Sequence, residues 1–283
     1  MTEFDKAFRD AIAQIMLEGY DIFSERSQID TKAFPGITYE LNPSKGFPLL
    51  TLRRIPIQIF VSEVVWMITG EKDISFMQEF TKIWDAFAEE DNTMAAAYGY
   101  RWRHHFGRDQ LLDLVEHLKR EPTSRQAVVI MWDPADDGLL SPKKKNVPCP
   151  FTFSVNTIGN KLNFHLGVRS NDMMLGNPHD TAGFALLQAM LAQEIGMEVG
   201  RYIVSISHAH IYGNHYEQAH TMLERMPHMH DEIVLQLPER SFQRALQRDV
   251  SLVHEITDSL KAQYKPMKKL KKMNIIVGEH STK

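Results

Sequence analysis

The chain has 283 residues, 43% hydrophobic and 24% charged, enough to bury one large core. A formal net charge of -4 gives no global attraction to nucleic acid or to an anionic membrane, so any bound phosphate needs local arginines and a small ligand suits the chain better than a polymer. One cysteine excludes an internal disulfide, no stretch nears the about 18 apolar residues of a membrane span, and the acidic, amphipathic "MTEFDKAFRD" is unlike a signal peptide, which together place the protein in a reducing cytoplasm.

In chain order, residues 3–18 carry Phe4, Phe8, Ala11, Ile12 and Ile15 on one helical stripe that Gly19 ends. The second half of "FPLLTLRRIPIQIFVSEVVWMITG" (47–70) reads as a buried helix interrupted by Glu63 and closed by Gly70. Helical spacing continues over 73–90, through Ile74, Met77, Phe80, Ile83, Trp84 and Phe87, and over 109–120. The period then changes. Residues 126–132, 151–156, 161–168 and 201–212 read as strands, "IGN" (158–160) as a hairpin turn, and 181–197 as a long helix ending near Gly196. The polar stretch 133–147 reads as an exposed loop, and 265–283 as a basic tail in which Ile275, Ile276 and Val277 pack in part. With no repeat and no linker, residues 1–283 form one α+β domain, a mixed sheet covered by helices.

Cys149 lies between Pro148 and Pro150 at the mouth of an alternating run. Taken alone it suits a small buried hydrophobe better than a nucleophile. Pro150 forces it into extended backbone, as at a strand entrance, and Arg169, just past a strand end, offers a cation that could ionise it. "RSNDMMLGNPHDTAGFALLQ" (169–188) gathers polar groups at a strand-to-helix passage, where Asp180 or Thr181 could equally be a helix cap. His208, His210, His215 and His220 follow, and without HExxH or CxxC partners they do not make a metal site.

Taken together, the ordered blocks "SEVVWMITG", "IWDAFA", "AYGYRWR", "PTSRQAVV", "PCP", "RSNDMMLGNPHDTAGFALLQ" and "HAHIYGNH" resemble the thymidylate synthase superfamily over about residues 45–225. Within it the chain is more similar to the cytidylate hydroxymethylases. Asp180 stands where the "LG-x-P-F-N" block of thymidylate synthases has asparagine, and Asn171 gives the "RSND" spelling of the phage-type hydroxymethylases. Uracil offers a donor at N3 and an acceptor at O4, matched by an amide; cytosine reverses the two, matched by a carboxyl that keeps its proton or shares one with the ring.

The resemblance implies a homodimer formed through the sheet and a one-carbon transfer from 5,10-methylenetetrahydrofolate to C5 of CMP or dCMP. Cys149 would add to C6, making C5 nucleophilic. Water held by Tyr98 would take the C5 proton, and water placed by Glu63 would complete the 5-hydroxymethyl product where a methylase would use hydride. Arg169 and Ser170 would hold the phosphate, with Arg125 of the other subunit; His210 and Tyr212 the sugar; Asn171 and Asp180 the base side; Trp84 and Asp172 the folate, although core packing explains Trp84 equally well. The chain also departs from the family. Pro150 replaces the histidine after the cysteine, Gln126 replaces a second arginine after Arg125, the early loop arginine is replaced near Glu40 with Lys45 or Arg53 as substitutes, and the tail lacks the segment that closes over folate. The competing expectations are a C5 methylase of dCMP or dUMP and a non-catalytic nucleotide-binding homologue.

Overall fold

A computed structural model describes residues 1–25, 27–140, 146–225 and 231–276. Helix α1 (Glu3–Glu18) starts on a reciprocal cap, in which the Asp5 amide donates to Thr2 Oγ1 and the Thr2 amide to Asp5 Oδ2, both at 3.1 Å. Its apolar stripe, Phe4, Phe8, Ile12 and Ile15, is buried as the spacing predicts. Strands β1 (Tyr20–Ser24) and β2 (Ile29–Leu41) follow, then α2 (Ile57–Thr69), closed by Gly70 in the left-handed region.

The expected helix over 73–90 is not continuous. It is one short turn, α3 (Ser75–Gln78), then irregular chain and a 3-10 turn at Asp85–Phe87. Asp73 and Asn92 divert the backbone, because Asp73 Oδ1 accepts from the Ser75 amide and Asn92 bonds Ser75 and Gln78. The turn α4 (Tyr98–Tyr100) runs into a wide π-helical turn at Arg101–His105, ahead of α5 (Gln110–Arg120).

The sheet is completed by β3 (Val128–Ile130), β4 (Pro150–Ile158), β5 (Lys161–Asp172) and β6 (Glu198–Tyr212), in the order β1-β2-β6-β5-β4-β3. All neighbours are antiparallel except β5 and β6, which need the long crossover helix α6 (Gly176–Ile195) to run parallel. Gly159 and Asn160 both take positive φ in the β4–β5 turn, as a tight hairpin requires. The sheet thus carries two strands more than expected, both from residues 1–45, and β3 is shorter than the run 126–132.

Helices α7 (Tyr216–Glu224), α8 (Ser241–Leu246) and α9 (Val250–Gln263) close the chain. One sheet face packs on α6 and α1, with α2 and α9 behind, around Phe153, Phe164, Phe184 and Tyr202. Among the described residues, the other face is open. It shows Phe151, His165, Thr38, Ser205 and Ser207, flanked by exposed Val128 and Ile130 on β3.

The loop expected at 133–147 is pinned at its root. Buried Asp137 accepts from Arg101 Nη2 at 2.8 Å, and His105 bonds Asp133 at 2.5 Å, while Leu139 and Leu140 are fully exposed. Residues 141–145 of that loop and 277–283 of the tail lie outside the described residues, Val277 among them.

Candidate active site

Cys149 is half-buried at the head of β4. Its carbonyl accepts from the Arg169 amide at 2.9 Å, after which the ladder skips one residue: Pro150 faces Val168 and Thr152 faces Gly167, so Phe151 is the extra residue of a bulge. Such a bulge re-aims the strand end next to it. The Cys149 amide donates to the Tyr98 hydroxyl at 3.4 Å.

Arg169 stands within β5, not past its end as expected, because β5 continues through Asp172 by pairing with His208 and His210 of β6. Its guanidinium reaches back to the chain just ahead of the thiol, Nε to Pro148 O at 2.7 Å and Nη2 to Val147 O at 3.1 Å, with the Trp132 ring 5.4 Å away. A cavity of about 410 Å³ brings Cys149 together with Arg169, Ser170, His208, His210 and Tyr212. The β1–β2 hairpin forms its far wall through Ile22, Ser24, Ser27 and Thr31, while Phe87 and Ile276 also line it. Sequence reasoning missed this wall. Its signal is the alternation of Ile37, Tyr39 and Leu41 with polar residues along β2, whose alternate positions are buried.

Behind the cavity lies a cluster of acids and phenols. Burial, helped by the charge of Asp180, pushes the Glu63 carboxyl up to about 8. Burial pushes Asp180 up to about 7, against a bond from Asn171 that holds it down and with Asp172 adding to the rise. Burial likewise drives the Tyr98 hydroxyl well above the ordinary phenol range, with the charges of Cys149, Asp180 and Glu63 adding to it. Asp180 sits in the second turn of α6, which starts at Gly176 and not near 181, so neither Asp180 nor Thr181 caps it.

Asn171 does not line the cavity; it is buried, with Nδ2 on Asp180 Oδ2 at 2.9 Å. Asp172 Oδ1 accepts from the amides of Met174 and Leu175 at 2.9 and 3.2 Å, turning the chain into α6. His210 is held neutral by burial. His215 bonds the Asn274 carbonyl at 3.0 Å, which ties the tail beside Ile276 to the cavity rim. Trp84 packs on Phe87 with ring centroids 5.5 Å apart, and its indole Nε1 is buried without a partner.

The remaining candidates fall elsewhere. Arg125 is exposed and outside the cavity of its own chain. Glu40 lies in β2 paired with Arg201 at 3.0 Å, Lys45 lines a separate groove, and Arg53 is buried with Nη2 on Met174 O at 2.6 Å. Of these elements it is the β1–β2 hairpin, through Ser24, Ser27 and Thr31, that lines the cavity. Away from the cavity, His105, Asp133 and Asp136 present ligand atoms within 4.8 Å of one another, with His105 and Asp133 already engaged in the Arg101 ion-pair network. No described helix is long and apolar enough to cross a membrane.

A mixed sheet covered on one face by helices, with the single cysteine sharing a cavity with arginine, serine and imidazole, defines the class: an α+β fold with a thiol-bearing cavity at one end of its sheet. The family model described as thymidylate synthase matches residues 6–273. The chain belongs to the thymidylate synthase family, folate-dependent one-carbon transferases that act on pyrimidine nucleotides with methylenetetrahydrofolate as the donor.

Proposed function

We propose that the protein is a cytidylate 5-hydroxymethyltransferase. The observation that carries this reading is the Asp180 carboxyl, pushed up to about 7 by burial, where uracil-specific relatives are expected to carry an amide. Below that pH it keeps a proton and can offer one donor and one acceptor, the pattern complementary to N3 and N4 of cytosine.

Cys149 adds to C6 and breaks the delocalisation of the ring, so that C5 becomes nucleophilic. Arg169, joined to the thiol's own loop, stabilises the thiolate and, with Ser170, takes the 5'-phosphate. The hydroxyls of Ser24 and Ser27, 2.5 Å apart on the opposite wall, add donors for the same phosphate. Neutral His210, with Tyr212 packed on it at 4.9 Å, holds the sugar. Tyr98, hydrogen-bonded beside the thiol, positions the water that takes the C5 proton, and protonated Glu63 orients the water that completes the hydroxymethyl group.

Phe87 lines the cavity with Trp84 packed on it, and this pair, with an orphaned indole N–H, is the surface for a flat heteroaromatic ring; Asp172 joins it as a folate-side group on the family resemblance. The folate, when bound there, supplies a one-carbon unit at the oxidation level of formaldehyde. Arg125 reaches the phosphate of the partner subunit across a dimer built on the open sheet face. A single cysteine, which forms no internal disulfide, suits a reducing cytoplasm.

Incubation with CMP, dCMP or dUMP and methylenetetrahydrofolate, followed by mass spectrometry, tests the reading. The expected product is the hydroxymethyl cytosine nucleotide with tetrahydrofolate released, and Asp180→Asn shifts the kcat/KM ratio toward uracil by roughly 100-fold or more. A methylated product with dihydrofolate formed overturns the hydroxymethyl branch, and turnover of dUMP alone overturns the role of Asp180.

A further inference from the structure

Asp180 does not face the base with two equivalent oxygens. Asn171 Nδ2 donates to Oδ2 at 2.9 Å, and Asn171 Oδ1 accepts from Asn177 Nδ2 at 2.7 Å. The second N–H of Asn177 donates to the Tyr39 hydroxyl at 3.0 Å, and Tyr39 and Thr181 share a hydrogen bond between their hydroxyls at 2.7 Å. Asn171, Asn177 and Thr181 are at most 3% exposed and Tyr39 is 7% exposed.

The direction of this chain is fixed by what the reverse would cost. Turning both amides around would leave the Asn177 NH2, with two hydrogens, where Oδ1 now sits buried without a partner. One orphaned carbonyl is cheaper than two orphaned donors. Asn171 is therefore a donor toward Asp180, and the oxygen it touches must be the acceptor.

We infer that Asn171 is a positioning residue that fixes which oxygen of Asp180 carries the proton, so that the carboxyl meets the pyrimidine with its donor and acceptor in one order only. Oδ2 is the carbonyl, receiving Asn171 on one lone pair and an exocyclic amino group on the other; Oδ1–H donates to a ring nitrogen acceptor. Cytosine matches both positions. Uracil mismatches both, with N3–H against O–H and O4 against a carbonyl. This inference rests on the cytidylate reading above and assigns Asn171 no direct contact with substrate.

Several other groups face the same carboxyl: Glu63 from α2, Tyr98 with Cys149 beyond it, Tyr39 from β2, Asp172 from β5 and Tyr202 from β6. None of the acids is a cation, so the donors of Asn171 are what favours ionisation. Loss of that bond raises the pH at which Asp180 releases its proton, because the bond stabilises the carboxylate.

The test uses the full chain with Asn171→Leu, close in shape and unable to donate, and Tyr39→Phe, a milder break two bonds away. Carbon-13 NMR of labelled aspartate in the ligand-free protein follows Asp180. In Asn171→Leu its midpoint rises by about one pH unit, a tenfold change in the proton affinity. With substrate, the alkaline limb of kcat/KM for CMP or dCMP moves up by the same amount and the cytosine-to-uracil ratio falls about tenfold, chiefly through KM. Tyr39→Phe moves both quantities the same way by less. An unmoved midpoint and limb with activity toward both bases falling equally would show that Asn171 only packs, and overturns the inference. If wild type turns over no cytidylate while the NMR midpoint still rises in Asn171→Leu, the base assignment fails and the polarised carboxyl stands.

Discussion

At the residue scale, the nearly neutral acids couple activity and stability to pH with definite signs. Glu63 holds its proton to about pH 8 in the folded protein, whereas the unfolded chain releases it near the ordinary carboxylate value. Between those values the unfolded state binds fewer protons, so stability falls as pH rises and is restored on acidification. Glu63→Gln removes the group that resists ionisation, and its stability relative to wild type is expected to grow by about 3 kcal/mol between pH 5.5 and pH 8. Urea unfolding at the two pH values checks this; parallel losses in both proteins would exclude Glu63 as the source. Cys149, Arg169, Ser170, His210 and Tyr212 were legible in the sequence as one set because each sits in a polar or special block, and the cavity joins them. Ser24, Ser27 and Thr31 were not, since isolated hydroxyls carry no spacing signature until a hairpin folds them over a thiol 120 residues away. The resemblance puts Asn171 among the substrate-binding residues, and only the geometry shows that its amide bonds Asp180 at one end and Asn177 at the other.

At the scale of elements, the period-two runs and the long apolar helix were readable because one buried face dictates them. Over 73–90 the helical spacing does not correspond to a helix, since Ile74, Phe76 and Met77 are buried from one short turn and Phe80, Trp84 and Phe87 half-buried beyond it, and burial without a continuous backbone ladder imitates a helical stripe. The start of α6 was also missed. Its first turn holds Pro178, which is tolerated there because the early amides have no intrahelical partner. The contact of α4 with α2 decides the relation between two of the acids and phenols. A Cβ on Gly99 would lie 1.9 Å from the Met67 carbonyl oxygen, so α4 rests on the backbone of the helix that carries Glu63 and places Tyr98 beside it. Gly99→Ala is expected to cost about 2 kcal/mol by forcing the two apart. It should also lower C5 tritium release from labelled nucleotide more than it lowers nucleotide binding. Equal effects on the two would detach α4 from the chemistry.

At the scale of the whole molecule, the sheet has one face that the described residues leave uncovered. Phe151 and His165 lie on that face, and exposed Ile130 and Val128 extend it to the β3 edge near Arg125. A second copy seated there would bring its Arg125 toward the cavity that lacks one. Mixing inactive Cys149→Ser and inactive Arg125→Ala subunits is then expected to restore about a quarter of wild-type activity, because half of the random dimers are mixed and each keeps one intact site. Phe151→Glu should yield a monomer by sedimentation and abolish that recovery. Recovery that persists in monomers, or none in mixed dimers, would place Arg125 outside the shared site.

The lone thiol has a consequence for how the protein can be observed. Since the chain holds one cysteine, and that cysteine lines the cavity, any reagent that counts thiols also counts sites. Alkylation adds a single mass increment per subunit. Its slowing by a nucleotide reads occupancy directly, its rate against pH reads the thiolate fraction beside Arg169, and a fluorophore coupled there would report the arrival of a second subunit's arm without a competing label elsewhere in the fold.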